Sequence, residues 1–129
     1  MKVPTHFAPY LFLRNVLAGM EFYKKAFAAV ELRRWSNDDG SVHVAEMMID
    51  GAMFHLHEEV PKSGQLSAET VKATTSSIGL FTDNPDRLVD TAIAAGAKVL
   101  HPLQDYDYGY RQATIIDPFG HQWLIEKQI

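Results

Sequence analysis

Shifting the 129-residue sequence against itself by 69 positions aligns its two halves without a gap. Gly51 then falls on Gly120, Phe54 on Trp123 and Leu56 on Ile125. Leu11 meets Leu80, Asn15 meets Asn84, Val30 meets Val99 and Gly40 meets Gly109. Such an internal repeat is one supersecondary unit written twice, and a unit this short cannot bury its apolar face alone. The fold has to be solved for two copies sharing a core.

Each copy carries the same local signals. In the first, a short apolar run at 10–13 reads as a strand. Asn15 then caps a helix over 16–27, where Val16, Leu17, Met20, Phe22, Tyr23 and Phe27 recur at near-helical spacing. A strand at 29–35, a polar loop at 36–40 and a hairpin of 42–49 with 52–58 follow, turning at Asp50-Gly51. In the second, a strand at 75–82 precedes a helix that Asn84-Pro85 opens and Gly96 ends. A strand at 98–103 and a loop at 105–109 lead to the last hairpin, 110–116 with 122–126, around Asp117-Pro118-Phe119-Gly120. Both units read βαβββ. Residues 59–74, with Pro61, Ser63 and Gly64 and little periodicity, read as the linker between module 1 (7–58) and module 2 (75–129), either a surface connection or a flap over a site.

Composition narrows the class. Length fits a single domain that buries roughly two thirds of its unfolded surface. Twelve basic and sixteen acidic side chains give a formal net charge of -4 with no basic cluster, which points away from a nucleic-acid partner. No apolar run approaches the roughly 18 residues that span a bilayer, so no membrane partner is expected. The absence of cysteine excludes disulfides, thiolate metal sites and a cysteine nucleophile. The first residues show no signal-peptide core, and a cytoplasmic protein is the expectation.

The two βαβββ copies and the phrases Glu21-Phe22-Tyr23-Lys24-Lys25-Ala26-Phe27 and Asp117-Pro118-Phe119-Gly120-His121 resemble the vicinal oxygen chelate superfamily. That superfamily holds glyoxalase I, extradiol dioxygenases, fosfomycin-resistance enzymes and bleomycin-resistance proteins. The stretch Tyr108-Gly109-Tyr110-Arg111 before Asp117-Pro118 is similar to the PhnB-like and bleomycin-resistance branches. The resemblance implies an α+β fold, two βαβββ modules forming a curved, mainly antiparallel sheet with the helices outside. In metal-dependent members the first and last strands of each module supply one ligand apiece. Alignment carries these positions onto Ala8, His55, Ser77 and Leu124. Ala8 and Leu124 have no lone pair to offer and Ser77 is a poor ligand, so no tightly bound ion is expected there and no cofactor is predicted. Glyoxalase-type isomerisation and ring-cleaving dioxygenation lose support.

Strand alternation sorts the remaining candidates by face. Phe54 and Leu56 are expected to face the core, with Met53, His55 and His57 turned into the concavity. A two-residue turn at Asp50-Gly51 sets Glu46 opposite His55, making Glu46, His55 and His57 neighbours. The trio reads as a solvated hydrogen-bonded group, as substrate contacts, or as a rebuilt divalent-metal site of two imidazoles and a carboxylate. Tyr10, Phe12, Ser77 and Phe81 share that side, and the same parity is expected to place Arg111, Ala113, Ile115, Gln122, Leu124 and Glu126 there. Arg111 is either a bidentate anchor for an anionic ligand or a diagonal partner of Glu126. Tyr106, Tyr108 and Tyr110 beside Gly109 form an aromatic wall or exposed loop residues. The expected function is binding of a small aromatic or anionic molecule in a cup lined by Tyr10, Phe12, Phe81, Tyr108 and Leu124, with Trp123 at its margin. Arg111 and His55 would orient it, in a sequestering or resistance role. The alternative is a metal-dependent lyase or dioxygenase built on Glu46, His55 and His57. Open on one side, the cup is expected to be closed by a second copy in an isologous homodimer.

Overall fold

The computed structural model describes all 129 residues. Module 1 runs β1 (Tyr10–Leu13), α1 (Val16–Phe27), β2 (Val30–Ser36), β3 (Val42–Ile49) and β4 (Ala52–Glu58). After the linker, which holds a short helix α2 (Ala68–Val71), module 2 runs β5 (Ser77–Phe81), α3 (Pro85–Ala95), β6 (Lys98–Tyr106), β7 (Tyr110–Ile116) and β8 (Gln122–Gln128). The eight strands divide into two hydrogen-bonded sheets, ordered β1-β4-β3-β2 and β5-β8-β7-β6. Each sheet has one parallel pair, at β1 with β4 and at β5 with β8, and is otherwise antiparallel.

The repeat holds down to single hydrogen bonds. The Asn15 side chain accepts from the Ala18 amide and the Asn84 side chain from the Arg87 amide, so both helices start on the same cap. Register repeats too. Tyr10 lies beside His55, and 69 positions on Gly79 lies beside Leu124. Module 2 departs from the pattern at β6, where Val99 pairs with Ile115 while its counterpart Val30 pairs with Met48. The turns differ as well. Asp50 and Gly51 take positive φ in a two-residue turn, and Asp117–Gly120 make a longer one, which resets the parity of β7 relative to β3.

Both modules feed one core. Leu11, Leu13, Phe54, Leu56, Ala45 and Met47 from sheet one join Ala113, Ile115, Trp123 and Ile125 from sheet two, with α1 and α3 packed on each other behind them. Trp123 meets Phe27 at 4.8 Å, Tyr23 at 5.5 Å and Phe54 at 6.0 Å between ring centroids. The helix-covered faces are closed in this way, and the opposite face of each sheet is left without a covering layer.

The linker is better ordered than its composition suggested. A 3-10 turn at Pro61–Ser63 precedes α2, which Ser67 caps from a fully buried position. The Glu59 carboxylate accepts from the Ser67 amide and the Thr70 hydroxyl, and these bonds hold its carboxyl below the usual glutamate value. Arg14, at the end of β1, donates to Thr70 and lies 3.6 Å from Glu59. The segment is thus tied to module 1.

Candidate functional site

The uncovered face of sheet one carries a ladder of rings. Tyr10 on β1 stacks on His55 of β4, with centroids 4.2 Å apart and planes 16° from parallel. It also lies 5.1 Å from His57, which in turn sits 5.6 Å from Phe12. The parallel register of β1 and β4 produces this by setting Tyr10 beside His55 and Phe12 beside His57. Glu46 stands opposite His55 as expected. Its carboxylate, however, is taken by Arg33 Nε at 2.5 Å, and that guanidinium lies 4.5 Å over the Trp35 ring.

On sheet two the uncovered face carries Ser77, Gly79 and Phe81 of β5, Gln122, Leu124 and Glu126 of β8, and Tyr110, Gln112 and Thr114 of β7. Phe81 and Tyr108 are 66% and 60% exposed, which leaves their rings free for contact. Tyr106, Tyr108 and Tyr110 do form a row, with successive centroids 5.1 and 6.3 Å apart.

Four placements differ from expectation. Arg111, Ala113 and Ile115 lie on the helix-covered side, because Ile115 pairs with Trp123 and Ala113 with Ile125 across the longer turn. Ala113 and Ile115 are core residues. Arg111 is held by Asp86 of α3, through Nε at 3.0 Å and Nη2 at 2.8 Å, and by Asp105 at 2.9 Å. It neither enters the cup nor pairs with Glu126, whose partner is Gln112 at 2.8 Å. Trp123 is 1% exposed and belongs to the core, not the margin of a cup.

The cup itself lies along the seam between the β1 and β5 edges. A cleft of about 800 Å³ is lined there by Phe7, Ala8, Tyr10 and Phe12 on one side and by Ser77, Ile78 and Gly79 on the other. Leu66, Ala68 and Val71 of the linker segment border it. A second cleft of about 460 Å³ continues past Ala8 to Met53 and Leu80.

The metal positions that the resemblance implies supply one imidazole and one hydroxyl in all, from His55 and Ser77, since Ala8 and Leu124 carry no donor. Nor is the alternative trio assembled, because Arg33 holds Glu46 and Tyr10 covers His55. No group of three His, Cys, Asp or Glu side chains is placed to hold an ion. The donor chemistry does not fit a four-ligand divalent centre.

His57 is the most perturbed group of the ring ladder. Its Nε2 is buried without a hydrogen-bond partner. Desolvation, and then the neighbouring His55 and His43, push its imidazole below the usual histidine value. An unfolded chain protonates this ring near pH ~6.5, before the folded chain does. Its contribution to stability is therefore full above that pH and is lost as pH falls through the lower folded value. The thermal midpoint of the wild type should drop between about pH 7 and pH 5 more steeply than that of His57→Phe. Equal slopes in calorimetry would remove His57 as the cause.

Asp117 was legible only as a turn residue, yet it joins the modules. Its Oδ2 accepts from the Tyr23 hydroxyl at 2.5 Å and Trp123 Nε1 at 2.9 Å. Oδ1 accepts the backbone amides of Phe119 and His121 at 2.9 and 3.0 Å. Burial, then the charge of Asp117, pushes the Tyr23 phenol well above its ordinary value, so it stays a donor.

A family model described as the glyoxalase/bleomycin resistance protein/dioxygenase superfamily matches residues 4–125. The chain belongs to that superfamily. A glyoxalase-superfamily origin accounts for the paired modules and for the uncovered faces alike. An uncharacterized protein of Mycobacterium bovis is 30% identical over 132 residues, spanning 100% of this chain and 87% of that protein. The crystal structure of TioX from Micromonospora sp. ML1 superposes with a TM-score of 0.78 at 20% identity, covering 98% of this chain and 100% of that one. A bleomycin-binding protein in complex with bleomycin gives 0.69 at 14% identity, covering 98% and 100%. At these identities the two structures establish the superfamily fold alone. No helix is long and apolar enough to cross a membrane.

Proposed function

We propose that this protein binds a small, flat aromatic molecule in the cup between its two uncovered sheet faces, in a sequestering or resistance role. In this reading it belongs with the PhnB-like and bleomycin-resistance branches and works as a cytoplasmic homodimer whose second copy closes the cup. The observation that carries the reading is the ring ladder Tyr10–His55–His57–Phe12 on a sheet face that nothing covers. Stacked rings at the edge of an open cleft offer contact area to another planar ring at little entropic cost. The superfamily neighbour seen in complex with bleomycin supports the same kind of use. The anionic part of the sequence reading loses its guanidinium, because Arg111 lies behind the sheet and is bound by two aspartates.

A thermal-shift and titration panel of naphthalene, quinoline and bleomycin-type compounds tests the reading. A ligand at 100 times its Kd should add about 2.7 kcal/mol to stability. Tyr10→Ala should weaken a bound ring about three- to tenfold, the range of one aromatic pair. A panel in which no aromatic compound binds, or a bound ring indifferent to Tyr10→Ala, would refute the assignment.

A further inference from the structure

Glu126 is the one acidic side chain that is buried on the uncovered face of sheet two, at 5% exposure. Its Oε1 accepts from the Gln112 amide at 2.8 Å, and Gln112 in turn accepts from the Tyr108 hydroxyl. Oε2 receives no hydrogen bond from the protein, and no lysine or arginine pairs with the group. The lysine next in the chain, Lys127, points the other way and donates to the Asp83 carbonyl. Oε2 still reaches solvent from this otherwise buried side chain, and a carboxylate oxygen without a donor in the protein is open to one arriving from outside.

The local shape leaves room for that arrival. Gly79 lies on the same face of the neighbouring strand, and a Cβ there would stand 3.2 Å from Oε2 and 3.5 Å from the Phe81 ring. Because Gly79 has no side chain, a notch opens onto the free oxygen. Its walls are aromatic. Phe81, the direct neighbour of Glu126 in register, meets Tyr110 edge-on at 6.5 Å, and Tyr108 lies 6.3 Å beyond Tyr110. Desolvation, then Tyr106, Glu126 and Asp107, holds the Tyr108 phenol above its ordinary value, so it stays a donor to Gln112.

A carboxylate oxygen at the base of a notch walled by π-faces suits a positive nitrogen, which gains a charge-assisted hydrogen bond and cation–π contact together. We propose that Gly79, Phe81, Tyr110 and Glu126 form a subsite for a protonated amine or guanidinium carried by the aromatic ligand. The proposal rests on the aromatic-ligand reading and adds the charge of the ligand's substituent, opposite in sign to the one the sequence suggested.

Three naphthalene probes test it on the full chain at about pH 7: 2-naphthylmethylammonium, neutral 2-naphthylmethanol and anionic 2-naphthoate. Affinities come from titration calorimetry, and contacts from NMR shifts of the Gly79 and Glu126 amides. In the wild type the ammonium should bind about tenfold or more tighter than the alcohol, the range of a hydrogen bond to a charged group, and the naphthoate weakest. Glu126→Gln keeps the shape and the bond to Gln112, and should bring the ammonium down to the affinity of the alcohol. Gly79→Ala retains the carboxylate but fills the notch, and should do the same. Equal binding of ammonium and alcohol in the wild type, or a preference that survives both substitutions, overturns the subsite and leaves the aromatic reading standing. If none of the three probes binds, the aromatic reading falls and takes the subsite with it.

Discussion

Asp117→Ala is expected to destabilise the protein by about 3–5 kcal/mol, because four donors lose their acceptor at once. Two of them, the Tyr23 hydroxyl and the Trp123 indole N–H, are buried in the joint core and have no water to turn to. The other two are the amides of Phe119 and His121, which set the turn that fixes the register of β8 against β7. One substitution therefore loosens the contact between modules and the turn inside module 2. For a domain of this size each kcal/mol shifts the unfolding midpoint by about 3–5 °C, so a drop of roughly 10–20 °C is expected. Asp117→Asn gives an internal control. Its remaining carbonyl can keep the two amides, but its NH2 group then faces the indole N–H, a donor that cannot turn round, while the Tyr23 hydroxyl can rotate and accept. A loss of about 1–3 kcal/mol, one orphaned buried group, is expected from it. Calorimetry on the two variants checks both. A midpoint for Asp117→Ala within a few degrees of the wild type would show that the turn relaxes and water reaches the freed donors.

The same residue marks what a sequence can and cannot disclose. Asp117, Pro118 and Gly120 announce a turn because their chemistry is local. The partner of Asp117, Tyr23, is 94 positions away, and no local pattern links them. The repeat was readable because it is a property of the whole string, and both Asn caps and the parallel registers follow from it. Where the halves differ in turn length the analogy failed. The two-residue turn at Asp50-Gly51 gave the correct facing for Glu46, His55 and His57. Applying the same parity across Asp117–Gly120 put Arg111, Ala113 and Ile115 on the wrong side of their strand. Side-chain competition was equally hidden. Glu46 does stand beside His55, but Arg33 from the next strand captures it, and nothing in the spacing of Glu46 and His55 reports that. Glu126 was placed on the correct face without its burial, which rests on neighbours from two other strands, Phe81 of β5 in register and Gln112 of β7 by hydrogen bond.

The uncovered faces set the last expectation, a sedimentation mass in micromolar solution of about twice the 14.5 kDa chain. Phe7 is 98% exposed and Tyr10 54%, both lining the cleft at the seam, and Phe81 is 66% exposed on the uncovered face of sheet two. Apolar surface of that extent on a soluble monomer ordinarily marks a contact. A two-fold arrangement lets each copy cover the other with the same patch, and so doubles the effect of any change placed in it. Tyr10→Asp sets a carboxylate into that patch twice. Phe7→Asp does so at a position that the fold of one chain hardly touches, which separates assembly from folding. With two unpaired charges to desolvate, each variant should weaken the dimer at least about a hundredfold, the consequence of a few kcal/mol. Light scattering across a dilution series should then find the wild type paired and both variants single, with unchanged far-UV dichroism for Phe7→Asp. A wild-type mass near that of one chain would reject the dimer, and closure of the cup would pass to the folded segment around α2 that already borders the cleft. Variants that stay paired would move the interface elsewhere on the surface and leave Tyr10 free to meet ligand alone.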